Sequence, residues 1–160
     1  MGLSKIVAAV VILFLVYIFS NQSVERDDAG QIASEGTVDI FQIRVGDCFN
    51  DKTESLDASE VSSVGGIPCD LPHDNEIYDR TLAPQGVFPG EESITDIASQ
   101  YCLANFEAFV GASYQDSLLN ITYLYPTQDS WNSVGDREIF CIVFDMNDEK
   151  MLGSMENSRY

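Results

Sequence analysis

The chain has 160 residues and a formal net charge of -18, with 26 acidic residues against 8 lysines and arginines. That length suits one domain, since domains commonly contain roughly 100–150 residues. The charge excludes nucleic acid as a natural partner and disfavours a domain lying flat on anionic lipid, because both require a basic surface. An acidic surface most often keeps a protein soluble, and binding of a cation or of a basic partner stays open.

A hydrophobic segment lies near the N-terminus. The run Ile6–Phe19 contains no charged residue, and its extension predicts a transmembrane helix over residues 1–20, with membrane contact through residues 2–20. Lys5 precedes the run and an acidic stretch follows it, which predicts a cytoplasmic N-terminus. We therefore expect a single-pass protein of the cell membrane with an extracytoplasmic domain. A cleaved signal peptide is the alternative, and it places the domain in the same compartment.

The segment after the anchor has a different composition. Residues 21–36 are polar and acidic, which is typical of a flexible stalk, and residues 37–156 are predicted to form the extracytoplasmic domain. Alternating apolar positions predict a first strand over Val38–Val45. A further strand is predicted over Glu76–Ala83, and prolines and glycines predict a loop over Gln85–Gly90.

The clearest helix follows this loop. Apolar side chains recur at three- and four-residue spacing from Ile94 to Phe109 and place Cys102 on the buried face. Ser93 is positioned to cap the N-terminus, and Gly111 is a natural stop.

Three strands are predicted after the helix. Leu118–Tyr125 and Glu138–Phe144 are rich in β-branched and aromatic residues, and Lys150–Met155 follows an acidic turn. The order of elements predicts an α+β fold, with one main helix packed on a mostly antiparallel sheet, two disulfides and a preceding transmembrane helix.

The four cysteines are Cys48, Cys69, Cys102 and Cys141. An even number in an oxidising compartment predicts disulfides, and four cysteines allow three pairings. We expect the sequential one, Cys48 with Cys69 and Cys102 with Cys141, since Cys102 faces the core and Cys141 lies within a predicted strand. Zinc is disfavoured because the cysteines are widely spaced, and we expect neither a metal nor another cofactor.

Candidate binding residues are few. His73, the only histidine, stands beside Asp74 and close to Glu76, either as an acid–base or metal-binding group or as a residue that orders a loop. Trp131, the sole tryptophan, is either a core residue, which we favour, or an exposed anchor for a partner. No catalytic residue is assigned, since the chain contains no G-x-S-x-G, P-loop, dinucleotide-binding or H-E-x-x-H motif.

Several motifs occur in a fixed order, and together they resemble the septum formation family, a set of short extracytoplasmic domains found mainly in actinobacterial membrane proteins. The resemblance implies two disulfides, no known enzymatic chemistry and a link to cell division or envelope assembly. It also includes a Pro-His-x-x-Glu pattern at Pro72, His73 and Glu76. The motifs are VGDCF from Val45, PCDLPHDNEIY from Pro68, FPGEES from Phe88, CLANFEAFVG from Cys102, YPTQDSW from Tyr125 and GDREIFC from Gly135.

These features favour a membrane-anchored, non-enzymatic protein-interaction module linked to septum formation or envelope assembly, with a division or envelope protein as its partner. Two alternatives stay open. One is a ligand- or cation-sensing ectodomain that uses the acidic surface or the loop from His73 to Glu76. The other, less favoured, is an extracytoplasmic hydrolase that uses His73.

Overall fold

The computed structural model describes residues 23–51 and 61–160 of the chain. The transmembrane helix predicted for residues 1–20, and with it the membrane contact through residues 2–20, lies outside these described residues. Within them, no helix is both long enough and apolar enough to cross a bilayer.

Six strands form one sheet in the described part of the chain. Across the sheet their order is first, third, second, fourth, sixth and fifth, and each neighbouring pair is antiparallel. The sheet confirms the predicted α+β class. The strands are β1 (Gly36–Asp39), β2 (Cys48–Asn50), β3 (Ser63–Ile67), β4 (Asn75–Leu82), β5 (Leu119–Leu124) and β6 (Glu138–Asp145).

The first strand is shorter than the Val38–Val45 segment predicted from alternation. After Asp39 the chain turns into a short 3-10 helix, Ile40–Gln42, and the Asp39 carboxylate accepts a hydrogen bond from the backbone N–H of Phe41. An aspartate that caps the following turn ends the extended conformation there.

One long helix, α1 (Glu91–Val110), covers one face of the sheet. It packs against β4, β5 and β6 through side chains that recur every fourth residue, in agreement with the apolar pattern. Cys102 is one of them, and its sulfur is bonded to that of Cys141 in β6. Cys48 is bonded to Cys69, so the sequential pairing is confirmed. The buried positions of α1 are Ile94, Ala98, Cys102, Phe106 and Val110.

The predicted end of α1 is confirmed, whereas its predicted N-terminal cap is wrong. Gly111 has a φ of 80° and donates its N–H to the carbonyl of Glu107, which confirms the predicted stop. The predicted Ser93 cap is wrong, because the helix begins earlier, after Gly90, with no side-chain cap. Glu91 lies in the first turn instead, where its charge suits the positive end of the helix dipole.

The opposite face of the sheet is also buried. Side chains alternate along β6, so Phe140 and Ile142 point away from α1. They join Ile77 of β4 in a cluster that packs against Val24 and Ile32, two residues from the segment before β1. The sheet is therefore the middle layer of the fold.

The segment before β1 is folded onto the domain, which corrects the flexible stalk predicted for residues 21–36. Arg26 makes two hydrogen bonds to the buried carboxylate of Asp47, from Nη1 to Oδ1 at 2.5 Å and from Nη2 to Oδ2 at 2.8 Å. Ser23 forms a bridge with Thr37, and Ile32 is buried. A polar segment held by an ion pair and an apolar contact is ordered structure, so the stalk prediction is wrong for residues 23–36.

Two further segments differ from prediction. Lys150–Met155 is not a strand; within it Met151 forms an isolated bridge with His73. A short helix that the sequence did not indicate, α2 (Gln128–Ser133), follows β5. Thr127 caps it, and Ser130 hydrogen-bonds back to the backbone N–H of Thr127 to complete a capping box.

Candidate functional site

His73 is fully buried, just ahead of β4. Its backbone exchanges two hydrogen bonds with Met151, at 3.0 and 2.8 Å. The ring atom Nδ1 lies 2.8 Å from the carbonyl oxygen of Leu71, an acceptor, so Nδ1 carries the hydrogen. Nε2 is buried and has no hydrogen-bond partner among the residues that the structure describes. His73 thus orders its turn from inside the fold and is closed to a protein partner.

Glu76 is also buried, with 1% of its surface exposed. Its Oε1 accepts a hydrogen bond from the Ser154 hydroxyl and its Oε2 accepts one from the Met155 N–H, both at 2.6 Å. Burial raises the pKa of Glu76, while the two hydrogen bonds oppose the rise. The carboxyl group therefore holds the chain after β6 against β4.

The His73–Glu76 pair lies beside a disulfide. A ligand atom from each of Cys48, His73 and Glu76 lies within 4.8 Å of the other two, a combination found in metal sites. The sulfur of Cys48, however, is bonded to Cys69, so it is not the thiolate that a metal requires. Both oxygens of Glu76 already accept hydrogen bonds. With the disulfide intact, this cluster does not fit a metal ion.

Asp74, the half-buried member of the same segment, has a side chain that is 25% exposed. Its Oδ1 lies 2.6 Å from Nζ of Lys150, and its Oδ2 accepts a hydrogen bond from the Asp51 N–H at 3.0 Å. Both contacts tie loops together at the surface. The structure therefore brings His73 and Glu76 close in space, directs Asp74 toward Asp51 and Lys150, and gives each of the three a structural contact.

Trp131 lies in the core, with 3% of its surface exposed, so it is not an exposed anchor. Its Nε1 donates to the carbonyl of Gly86 at 2.9 Å, and its ring packs edge-on against Phe88 with centroids 5.5 Å apart. The guanidinium carbon of Arg137 lies 3.5 Å from the centre of the indole ring. These contacts fix α2 against the loop between β4 and α1 and against Arg137, just before β6.

An open groove lies along α2, and we name it the β5–α2 groove. It runs between the end of β5, the turn after β1 and the start of α1, and its volume is about 1110 Å³. Its accessible apolar lining is half aromatic and half aliphatic, with Ile40, Val61, Leu124 and Val134 as the aliphatic members. The rings of Tyr123 and Tyr125 lie with their centroids 6.0 Å apart, and Phe41 is 59% exposed. The aromatic residues with accessible surface in this lining are Phe41, Phe88, Tyr123 and Tyr125.

The groove is negatively charged. Five acidic side chains line it, and none of its described lining residues is basic. Asp39, Glu91 and Asp129 are exposed. Asp136 accepts hydrogen bonds from Ser130 and from a backbone N–H, whereas Glu138 forms an ion pair with Arg80.

Tyr125 connects the charged and aromatic parts of the groove. Its hydroxyl donates to Oε1 of Glu91 at 3.3 Å. Burial, with a smaller contribution from Glu91, raises the pKa of Tyr125, so the ring remains neutral in the physiological range. The lining therefore combines carboxylates with uncharged aromatic faces.

Sequence reasoning identified neither the groove nor the Arg26–Asp47 ion pair. The lining comes from several separate segments, and their proximity has no local sequence pattern. The motif YPTQDSW was the available indication, since it contains Tyr125, the cap Thr127, Asp129 and Trp131.

The family model for septum formation matches residues 45–158. The chain therefore belongs to the septum formation family, and the resemblance seen in its motifs is confirmed. No curated protein and no solved structure matches the chain significantly. Membership in the family links this protein to septum formation.

Proposed function

We propose that this protein is a membrane-anchored, non-enzymatic interaction module that binds a division or envelope protein through its extracytoplasmic domain. The observation that carries the proposal is the β5–α2 groove, an open surface with aromatic and acidic side chains. Membership in the septum formation family supports septum formation as the process that this binding would serve.

The proposed location is supported by the N-terminal sequence and by the disulfides. The apolar run Ile6–Phe19, with Lys5 before it, favours an anchor whose following domain is extracytoplasmic. Both disulfides suit an oxidising compartment, because cytosolic thiols are kept reduced.

The burial of the candidate acid–base residues argues against hydrolysis. An acid–base group must reach its substrate within hydrogen-bond distance. His73 is fully buried and Glu76 is held by Ser154 and Met155. These contacts favour a structural role for both residues and leave the groove as the more accessible surface.

The groove also has the rigidity expected of a recognition surface. Its α2 wall is held by the capping box and by the buried ring of Trp131. A surface that is ordered before binding loses less conformational entropy on association. This supports recognition of a defined partner.

Localisation in the native cell tests the proposal. The full chain, fused at its C-terminus to a fluorescent reporter that folds outside the cytoplasm, should be enriched at septa. A matched fusion containing only residues 1–22 should be spread evenly through the envelope, because it lacks the domain. An even distribution of the full-chain fusion would overturn the division-linked interaction role.

A further inference from the structure

We infer that the β5–α2 groove binds a segment of a partner protein that carries lysine or arginine side chains. The inference rests on the proposed interaction role and adds the chemistry of the partner to it. The charge, the aromatic rings and the openness of the groove support it.

The charge of the groove selects a cationic occupant. Asp39, Glu91 and Asp129 are exposed acidic residues that three separate segments contribute to it, and no basic residue lies among its described lining residues. Complementary charge steers association and excludes partners of the same sign. The net charge of -18 extends this attraction beyond the groove itself.

The aromatic lining suits the cationic side chains of a protein. Lysine and, more often, arginine stack on the faces of aromatic rings. Arg137 makes this contact with Trp131 next to the groove, with its guanidinium carbon 3.5 Å from the ring centre. Tyr123, Tyr125 and Phe41 offer further rings to an arginine or lysine supplied by a partner.

The size of the groove favours a chain segment over a small ligand. Pockets for small molecules usually measure roughly 300–1,000 Å³ and bury most of the ligand. At about 1110 Å³ this groove is only slightly larger, but it is open rather than enclosing and has both charged and apolar walls. A peptide segment can place cationic groups on the carboxylates and its other side chains on the rings, whereas a bare cation would leave the aromatic walls uncovered.

Other macromolecular occupants fit less well. A second copy of this chain carries the same charge of -18, so the two copies repel each other. Nucleic acid and anionic lipid repel the groove for the same reason. A basic protein segment is therefore the occupant that the charges favour.

Binding can be measured on the full chain in nanodiscs of neutral phosphatidylcholine. The probe is a short fluorescein-labelled peptide that alternates arginine with threonine, and the read-out is fluorescence anisotropy. We expect this peptide to bind, with an affinity that falls as salt is raised. A matched peptide with glutamate in place of arginine should not bind. Equal affinity for the two peptides would overturn the inference.

A pair of double variants separates the groove from the net charge. Glu91→Gln with Asp129→Asn removes two carboxylates from the groove, and Asp70→Asn with Glu107→Gln removes two exposed carboxylates that do not line it. We expect the groove variant to bind the arginine peptide about fivefold to tenfold more weakly, and the control to stay within about twofold of wild type. Equal weakening would assign binding to overall charge and reject the groove.

A separate variant tests how much the aromatic rings of the groove contribute to peptide binding. Tyr125→Leu keeps an apolar side chain but removes the ring face, so binding of the arginine peptide should weaken by about twofold to fivefold. Thermal melting checks that each variant is folded. Unchanged affinity in a folded Tyr125→Leu protein would contradict the inferred stacking.

Failure of this inference can be distinguished from failure of the proposed function. Septal enrichment that persists in the Glu91→Gln, Asp129→Asn variant would keep the interaction role and reject the groove as its binding surface. Selective binding of the arginine peptide without septal enrichment would keep the groove chemistry and reject the division-linked role.

Discussion

Replacing Arg26 with methionine removes the only cation that contacts Asp47 among the described residues and keeps most of the length of the side chain. Asp47 is 2% exposed, and its two oxygens accept hydrogen bonds from Arg26 at 2.5 and 2.8 Å. After the change, its carboxylate retains the backbone N–H of Arg44 at 2.9 Å. The variant therefore leaves a buried charge with one hydrogen bond where it had three.

The expected loss in the free energy of unfolding follows from these contacts. Each hydrogen bond to a charged group contributes about 1.5–3 kcal/mol, so two give about 3–6 kcal/mol. The Arg26 side chain is 16% exposed, and water can enter the vacated space and solvate Asp47 in part. We therefore expect Arg26→Met to cost about 3–4 kcal/mol, within the range for a buried ion pair that loses one partner.

Urea unfolding of the full chain in detergent micelles measures this change. Trp131 is the sole tryptophan and is 3% exposed, so its fluorescence reports unfolding of the core. Lys150→Met is the matched control, because it breaks a pair of similar length, 2.6 Å, whose side chains are 47% and 25% exposed. The control should cost no more than about 1 kcal/mol.

Two results test whether the buried ion pair holds residues 23–36 to the domain. Adding Asp47→Asn to Arg26→Met should recover part of the loss, since the buried group is then uncharged. A cost for Arg26→Met no larger than that of Lys150→Met would refute the argument that residues 23–36 are held to the domain by a buried ion pair.

Three further predictions concern the core and its titration. Changing both Cys102 and Cys141 to alanine should lower the free energy of unfolding by about 4 kcal/mol in urea, because the bridge closes a loop with a sequence separation of 39. A loss below about 1 kcal/mol would contradict this prediction. Gly66→Ala should cost about 1–3 kcal/mol, since a Cβ there would lie 2.6 Å from Val38 and 2.8 Å from Val24. Thermal melting should show a smaller effect for Gly65→Ala, where the nearest atom is 3.4 Å away. Burial raises the pKa of Glu76, so the folded state keeps the carboxyl proton to a higher pH than the unfolded state does. The contribution of Glu76 to the free energy of unfolding therefore falls as the pH rises from the ordinary glutamate range through the raised pKa. Glu76→Gln should remove this pH dependence. If the free energies of unfolding of the variant and of wild type differ by the same amount at every pH, the prediction is wrong.

The parts of the fold that could be predicted are those whose partners leave a periodic pattern. The buried face of α1 recurs along the sequence, and the position of Cys102 on that face indicated a bridge to a core strand. β6 was visible from its β-branched and aromatic residues. In each case the pattern lies within the element itself, so no knowledge of a distant segment was needed.

The parts that were missed depend on contacts between distant segments. Arg26 and Asp47 are separated by 21 residues, and neither stands out in an acidic chain. Ile32 is an isolated apolar residue in a polar stretch, so composition indicated a stalk. The short helix α2 has only six residues, and its tertiary contacts through Trp131 outweigh its weak periodicity.

The candidate site likewise depends on contacts between distant segments, which the sequence does not reveal. Sequence placed His73 next to acidic residues but could not show that His73 and Glu76 point inward, because burial depends on how the chain after β6 folds over β4. The groove residues were visible one by one in the sequence. Their convergence cannot be deduced from the strand order, because β1 and β5 lie at opposite edges of the sheet and yet the turn after β1 and the end of β5 both line the groove.

The ordered segment before β1 sets how far the domain can reach from the membrane. For an anchor that ends at residue 20, the first residue bridged to the sheet, Ser23, follows after three residue steps. That length of extended chain spans at most roughly 10 Å. With the proposed anchor, this short connection would hold Ser23, and with it the base of the domain, close to the lipid. On the proposed anchor, the domain would therefore meet only those partners that come within about its own height of the membrane.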